Sequence, residues 1–152
     1  MGLQLWDDFE DEFTLFGIAS KSWDEVKFIY NLNAKFKLRF KRNQNLDVYW
    51  DDELFCFSLY SHEDDEALNE FHIIKNLSHP ISKEMNEDSL FSSLESERYL
   101  LPKLKHFDYL LKIPYHLEKD ELNPLPLNNA LFVTEYSLIT NLSNKEKKLF
   151  SI

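Results

Sequence analysis

FKLRFKRNQNLDVYWDDELFCFSLY, residues 36–60, carries the fold in its spacing. Phe36, Leu38 and Phe40 alternate with Lys35, Lys37, Arg39 and Lys41, a period of two that puts apolar side chains on one side of an extended chain and cations on the other. Leu46, Val48 and Trp50 repeat that period against Asp47, Tyr49 and Asp51. Between the two runs, Asn43-Gln44-Asn45 can turn without glycine because asparagine tolerates positive φ, so a hairpin is expected. Asp51-Asp52-Glu53 supplies a second polar turn, and residues 54–60 are then apolar or aromatic at almost every position, as in a central strand covered on both faces. Past an acidic turn at residues 63–66, Phe71, Ile73 and Ile74 with His72 between them predict a further strand reaching Leu77. Such short polar connections make a meander of three or four antiparallel strands.

Outward from this block, Phe13-Thr14-Leu15-Phe16-Gly17-Ile18-Ala19 is nearly continuously apolar and predicts a buried strand. Ser22 ahead of Asp24 and Glu25 predicts a helix start, with a hydroxyl cap and two carboxylates facing the helix dipole. Trp23, Val26, Ile29, Tyr30 and Asn33 recur at three- and four-residue spacing as its packed face, and the helix is expected to end near Asn33. Residues 78–96 are rich in Ser, Glu, Asp and Asn and are expected to be the most mobile segment. Residues 107–113 return to strand character and stop at Pro114. Pro124 and Pro126 forbid a helix interior, and residues 131–139 give a last strand before a charged tail. The expectation is one α+β domain over residues 1–152: an antiparallel-dominated sheet of about five or six strands with one or two helices packed on it.

Composition excludes more than it nominates. Gly17 is the sole interior glycine, so neither a phosphate-cradling glycine loop nor a GxSxG nucleophile elbow can form. Cys56 is the only cysteine, which removes an intrachain disulfide and every paired-thiolate zinc motif. It lies in Phe55-Cys56-Phe57 with no cationic neighbour and reads as an inert core thiol. His62, His72, His79, His106 and His116 show no metal-ligand spacing, and no metal or cofactor is expected. The opening MGLQLWDD has neither a basic stretch nor a long apolar run, and about 18 consecutive apolar residues occur nowhere, so a cytoplasmic location without a membrane partner is expected.

Seventeen Lys and Arg stand against 27 Asp and Glu, a formal charge of −10 that repels phosphate backbones globally. Against that field, Lys35, Lys37, Arg39, Lys41 and Arg42 form the one concentrated basic stripe. It serves either as a solvated face that blunts a sheet edge or as an electrostatic contact for an acidic protein surface or a phosphate-rich ligand. Thirteen Phe, seven Tyr and three Trp are many aromatics for a small core, and Trp6 and Phe9 in the acidic lead-in are the first candidates for an exposed sticky patch.

At residues 101–109 the chain reads LPKLKHFDY, which resembles the signature of the bacterial IPExxxVDY family of small proteins. Pro102, Asp108 and Tyr109 fit as they stand, Leu101 and Phe107 are apolar substitutes, and Lys103 reverses the charge of the acidic signature residue. The early FTLFGIAS strand, the helix after it and the closing KKLF also look like that family. The resemblance implies no particular activity, substrate or cofactor. Asp108, set between Phe107 and Tyr109, is expected to be a buried carboxylate bracing a turn, with Tyr109 filling the core. Function is accordingly expected to be that of a non-enzymatic protein-interaction or adaptor module. The alternative is an accessory factor in RNA processing or binding, acting through Lys35 to Arg42.

Overall fold

The computed structural model describes residues 13–21, 24–64, 69–79, 97–117 and 125–152. Over them the strands are β1 (Thr14–Ser20), β2 (Lys41–Arg42), β3 (Leu46–Trp50), β4 (Glu53–Phe57), β5 (Leu59–Asp64), β6 (Asn69–Lys75), β7 (Tyr109–Ile113) and β8 (Val133–Leu138). The α-helices are α1 (Glu25–Phe36) and α2 (Asn144–Lys148), and 3₁₀ turns lie at Pro102–Leu104 and Leu127–Asn129. Six strands form an antiparallel sheet in the order β2-β5-β6-β7-β1-β8, while β3 and β4 pair as a separate hairpin. This is an α+β fold, as the sequence predicts.

Strand alternation sorts the apolar side chains into two cores, one on each face of the six-stranded sheet. Ile18, Tyr60, Phe71, Ile73, Tyr109, Leu111 and Ile113 meet Phe28, Ile29 and Leu32 of α1 on the first face. Leu15, Leu59, Ile74 and Leu110 meet Phe55 and Phe57 of the hairpin, Leu100, Leu101 and Phe150 on the second. Ile73 sits opposite Leu111 and Ile74 opposite Leu110, so consecutive residues of β6 and β7 feed opposite cores. Full burial of each such side chain contributes about 1.5–3 kcal/mol, which makes β6 and β7 the strands hardest to remove.

Several expected elements lie elsewhere. Residues 36–41 are not a strand: α1 runs on to Phe36, Lys37 caps it in the left-handed region at φ 55°, and only Lys41–Arg42 join the sheet. The period-two pattern there is real but short, and the helix overrides it because Phe28, Ile29 and Leu32 anchor α1 to the sheet. β2 pairs with β5 rather than β3, so Asn43-Gln44-Asn45 carries the chain from one sheet to the other. β3 pairs with β4 instead, through Asp51 and Asp52 at φ 50° and 64°, the two positive values of a type I′ hairpin turn. Residues 54–60 are not one central strand. The chain breaks at the fully buried Ser58, whose carbonyl accepts from Lys75 N at 2.9 Å, and passes from hairpin to sheet.

The cap of α1 is Asp24, whose carboxylate accepts from Lys27 N at 2.8 Å; Ser22 and Trp23 lie outside the described residues. Its buried residues are Phe28, Ile29 and Leu32, whereas Val26 and Tyr30, expected on the packed face, are 72% and 71% exposed. Phe28 decides this rotation: its ring stacks on Tyr109 at 4.1 Å and meets Phe132 edge-on at 5.9 Å. Of the segment expected to be mobile, Ser78 and His79 fall among the described residues, and both are tied down. Ser78 is buried and exchanges hydrogen bonds with Arg98, and His79 N donates to Cys56 O at 2.8 Å. The rest of that segment lies outside the described residues.

Candidate functional site

The cations of the basic stripe follow one another over a helix end, its cap and a sheet edge, which together form one corner. Lys35 occupies the last turn of α1, where a cation complements the helix dipole. Leu38 N donates to Asn33 O at 3.0 Å as the chain reverses at Lys37. Asn33 then clamps the next segment: its amide donates to Phe40 O at 3.1 Å and its carbonyl accepts from Phe40 N at 2.9 Å. Arg39 N donates to His62 Nδ1 at 3.0 Å, and Lys41 and Arg42 pair with Ser61 and Tyr60 at the outer edge of the sheet. Phe40 is buried while Lys35, Lys37, Arg39, Lys41 and Arg42 are all exposed.

Two features of this corner bear on what it can do. The ion pairs found among the described residues join His72 to Glu70, Lys75 to Glu25, Lys103 to Glu146 and His106 to Glu135, so none of them neutralises a cation of this patch. Lys37 moreover occupies a left-handed backbone position, which costs a side chain with a Cβ about 1 kcal/mol relative to glycine.

Arg42 is oriented before anything binds. Its Nη1 donates to Asn43 O at 2.8 Å and Leu59 O at 3.3 Å, its Nη2 donates to Asn45 Oδ1, and the guanidinium lies 5.5 Å from the centre of the Tyr60 ring. Beside it, Val26, Ile29, Tyr30, Tyr60 and Glu25 line an open groove of about 390 Å³. Tyr60 O–H donates to Glu25, and burial together with that hydrogen bond pushes the phenol pKa well above its usual range. Glu25 also pairs with Lys75 at 3.9 Å, so its charge is already engaged.

Residues 101–109 form a structural knot. Pro102 begins the 3₁₀ turn, and Tyr109 is buried against Phe28, where burial first and the nearby Glu25 and Asp108 next raise its pKa above the ordinary phenol range. Asp108 is exposed rather than buried; it accepts from Ser20 N at 2.8 Å through Oδ2 while its own N–H donates to Ile18 O. It braces the register shift between Ala19 and Ser20 from the solvent side, a contact worth about 1 kcal/mol. Lys103 donates to Glu146 Oε1 at 2.8 Å. Partial burial opposes ionisation of Glu146, but hydrogen bonds from Lys103 and Ser143 outweigh it and hold the carboxyl below its usual range. Lys103 therefore has a complementary partner in α2.

Sequence reasoning missed Asn76, which organises the knot. Fully buried, it donates to Leu104 O at 3.0 Å and Phe107 O at 3.1 Å and accepts from Leu101 N at 3.0 Å, while its backbone joins Asp108 O and Leu100 N. The only signal was a lone amide just before Leu77, at the end of the strand-like run 71–77.

Groups with chemical potential elsewhere have structural employment. Ser58 Oγ and His79 Nε2 lie 2.7 Å apart, the spacing of a nucleophile and base, yet Ser58 is fully buried in the chain break and presents no surface to a substrate. Cys56 is partly buried rather than a full core residue; burial and then its contact with Asp47 push its thiol pKa up, away from reactivity. A cleft of about 720 Å³ is lined by Asp24, Glu25, Asp108, Lys21, Lys75 and Tyr99 among others, but Asp24 caps α1, Glu25 holds Tyr60 and Lys75, and Asp108 holds Ser20. Among the described residues, no group of three His, Cys, Asp or Glu is placed to hold a metal ion, and no helix is long and apolar enough to cross a membrane. Trp6 and Phe9 lie outside the described residues.

Comparison with protein-family models, with curated proteins and with solved structures gives no match to this chain.

Proposed function

We propose that the protein is a non-enzymatic interaction module, acting in the cytoplasm, that docks an acidic protein surface on the corner formed by Lys35, Lys37, Arg39, Lys41 and Arg42. The carrying observation is the gathering of these five exposed cations from a helix end, its cap and an edge strand, with none of them in an ion pair found among the described residues. In a chain of net charge −10, such a patch gives a local field opposite to that of the whole, which fixes the orientation in which an acidic partner can approach. A lysine held at φ 55° adds weight, because folding alone would favour glycine there. On the same footing, the likeness of residues 101–109 to the IPExxxVDY signature supports membership of that family, with the signature serving the fold rather than the docking corner.

Charge reversal is the test. Lys37→Glu with Lys41→Glu is expected to abolish capture of the native partner while changing stability by less than about 0.5 kcal/mol, since exposed charges contribute little to folding. Lys37→Gly is expected to act in opposite senses, raising stability by about 0.5–1 kcal/mol while weakening capture. Undiminished capture by the doubly reversed protein would remove this corner as the docking site. Loss of an RNA ligand rather than a protein one would favour the RNA-accessory alternative.

A further inference from the structure

Resting on that proposal, we infer that the groove beside the basic corner receives an apolar side chain of the partner, so that the protein recognises an acidic segment carrying an aromatic or large aliphatic anchor. Val26 and Tyr30 stand one helical turn apart on the solvent side of α1, 72% and 71% exposed. Ile29 and Tyr60, both buried, form the groove floor, and Arg42 closes one side. An exposed pair of large apolar residues over an apolar groove gains when a partner covers it.

Charge decides what covers it. Arg42, held by Asn43, Leu59 and Asn45, faces this groove with its charge uncancelled by any ion pair found among the described residues, and the other four exposed cations precede it within eight residues of chain. An occupant must therefore combine an apolar anchor with flanking carboxylates. A nucleic-acid backbone fits less well, because its phosphates match the cations but bring no aliphatic or aromatic side chain to Val26 and Tyr30.

Fluorescence anisotropy with a labelled peptide of Glu and Asp around one central Phe, and with its Phe→Ser counterpart, tests the inference on the full chain. Wild type is expected to bind the Phe peptide at least about tenfold tighter than the Ser peptide, as a buried aromatic anchor requires. Val26→Ser with Tyr30→Ser is expected to lose that preference while keeping weak, salt-sensitive binding to both. Lys37→Glu with Lys41→Glu is expected to lose binding to both. Thermal melts accompany each variant; these positions are exposed, so folding should hold.

If the groove variant keeps the full preference for Phe, the groove inference fails while the charged docking site stands. If the charge-reversed variant binds like wild type, the docking proposal itself fails. Absence of binding by wild type, tighter binding of an oligouridine of similar length, or concentration-dependent dimerisation abolished by Val26→Ser with Tyr30→Ser would each overturn the inference.

Discussion

Asn76→Ala is expected to cost about 2–4 kcal/mol, because it strands two buried backbone groups at once and strips a bond from a third. Phe107 O and Leu101 N find their partner in this one amide, Leu104 O keeps only its bond from Phe107 N, and methyl cannot replace any of the lost bonds. Asn76→Asp should be nearly as damaging, since a carboxylate retains the acceptor for Leu101 N but cannot donate to two carbonyls. A urea midpoint measures the loss, and amide exchange should show residues 100–108 opening first. A stability change under about 1 kcal/mol would mean that the turn holds itself without Asn76.

Gly17→Ala is the second large effect, and it comes from space rather than from backbone freedom. A Cβ at Gly17 would lie 2.5 Å from Cγ and Cδ2 of Phe107, inside any tolerable contact. Phe107 is buried and the clash reaches Cγ, close to its own backbone, so its ring has little room to retreat. Overpacking of this kind costs about 1–3 kcal/mol, even after alanine's lower folding entropy cost is credited. Phe107→Leu should rescue the Gly17→Ala protein by more than its own effect allows, and a double-mutant cycle showing simple additivity would contradict the contact.

Much of the fold was legible because it rests on apolar periodicity. Residues 13–19, 71–77 and 107–113 read as strands and are strands to within a residue or two, since two-sided burial leaves runs of Ile, Leu and Phe that local chemistry cannot disguise. Tertiary competition escaped the sequence. Phe36, Leu38 and Phe40 keep strand spacing, but α1 is held by Phe28 on Tyr109, and that contact spans 81 residues, 28 to 109. The same contact turned Val26 and Tyr30 outward, so the exposed pair beside the basic corner was invisible until the helix was rotated into place.

The candidate site was half legible. Five cations in eight residues announced a basic patch, and they are exposed together, although through a helix end and an edge strand rather than one strand face. Asp108 illustrates the opposite error. Its neighbours Phe107 and Tyr109 are buried, yet it sits just ahead of β7, where the chain turns its carboxylate to the surface to hold Ser20 N.

Amide chemical-shift mapping of the full chain during titration with the acidic Phe peptide tests the central claim most directly. Shifts concentrated at residues 35–42, together with Val26 and Tyr30, and suppressed by raised salt are the expected result. Shifts centred instead on the Asp108 cleft, or spread evenly with no dependence on salt, would contradict a basic docking corner with an adjoining apolar seat.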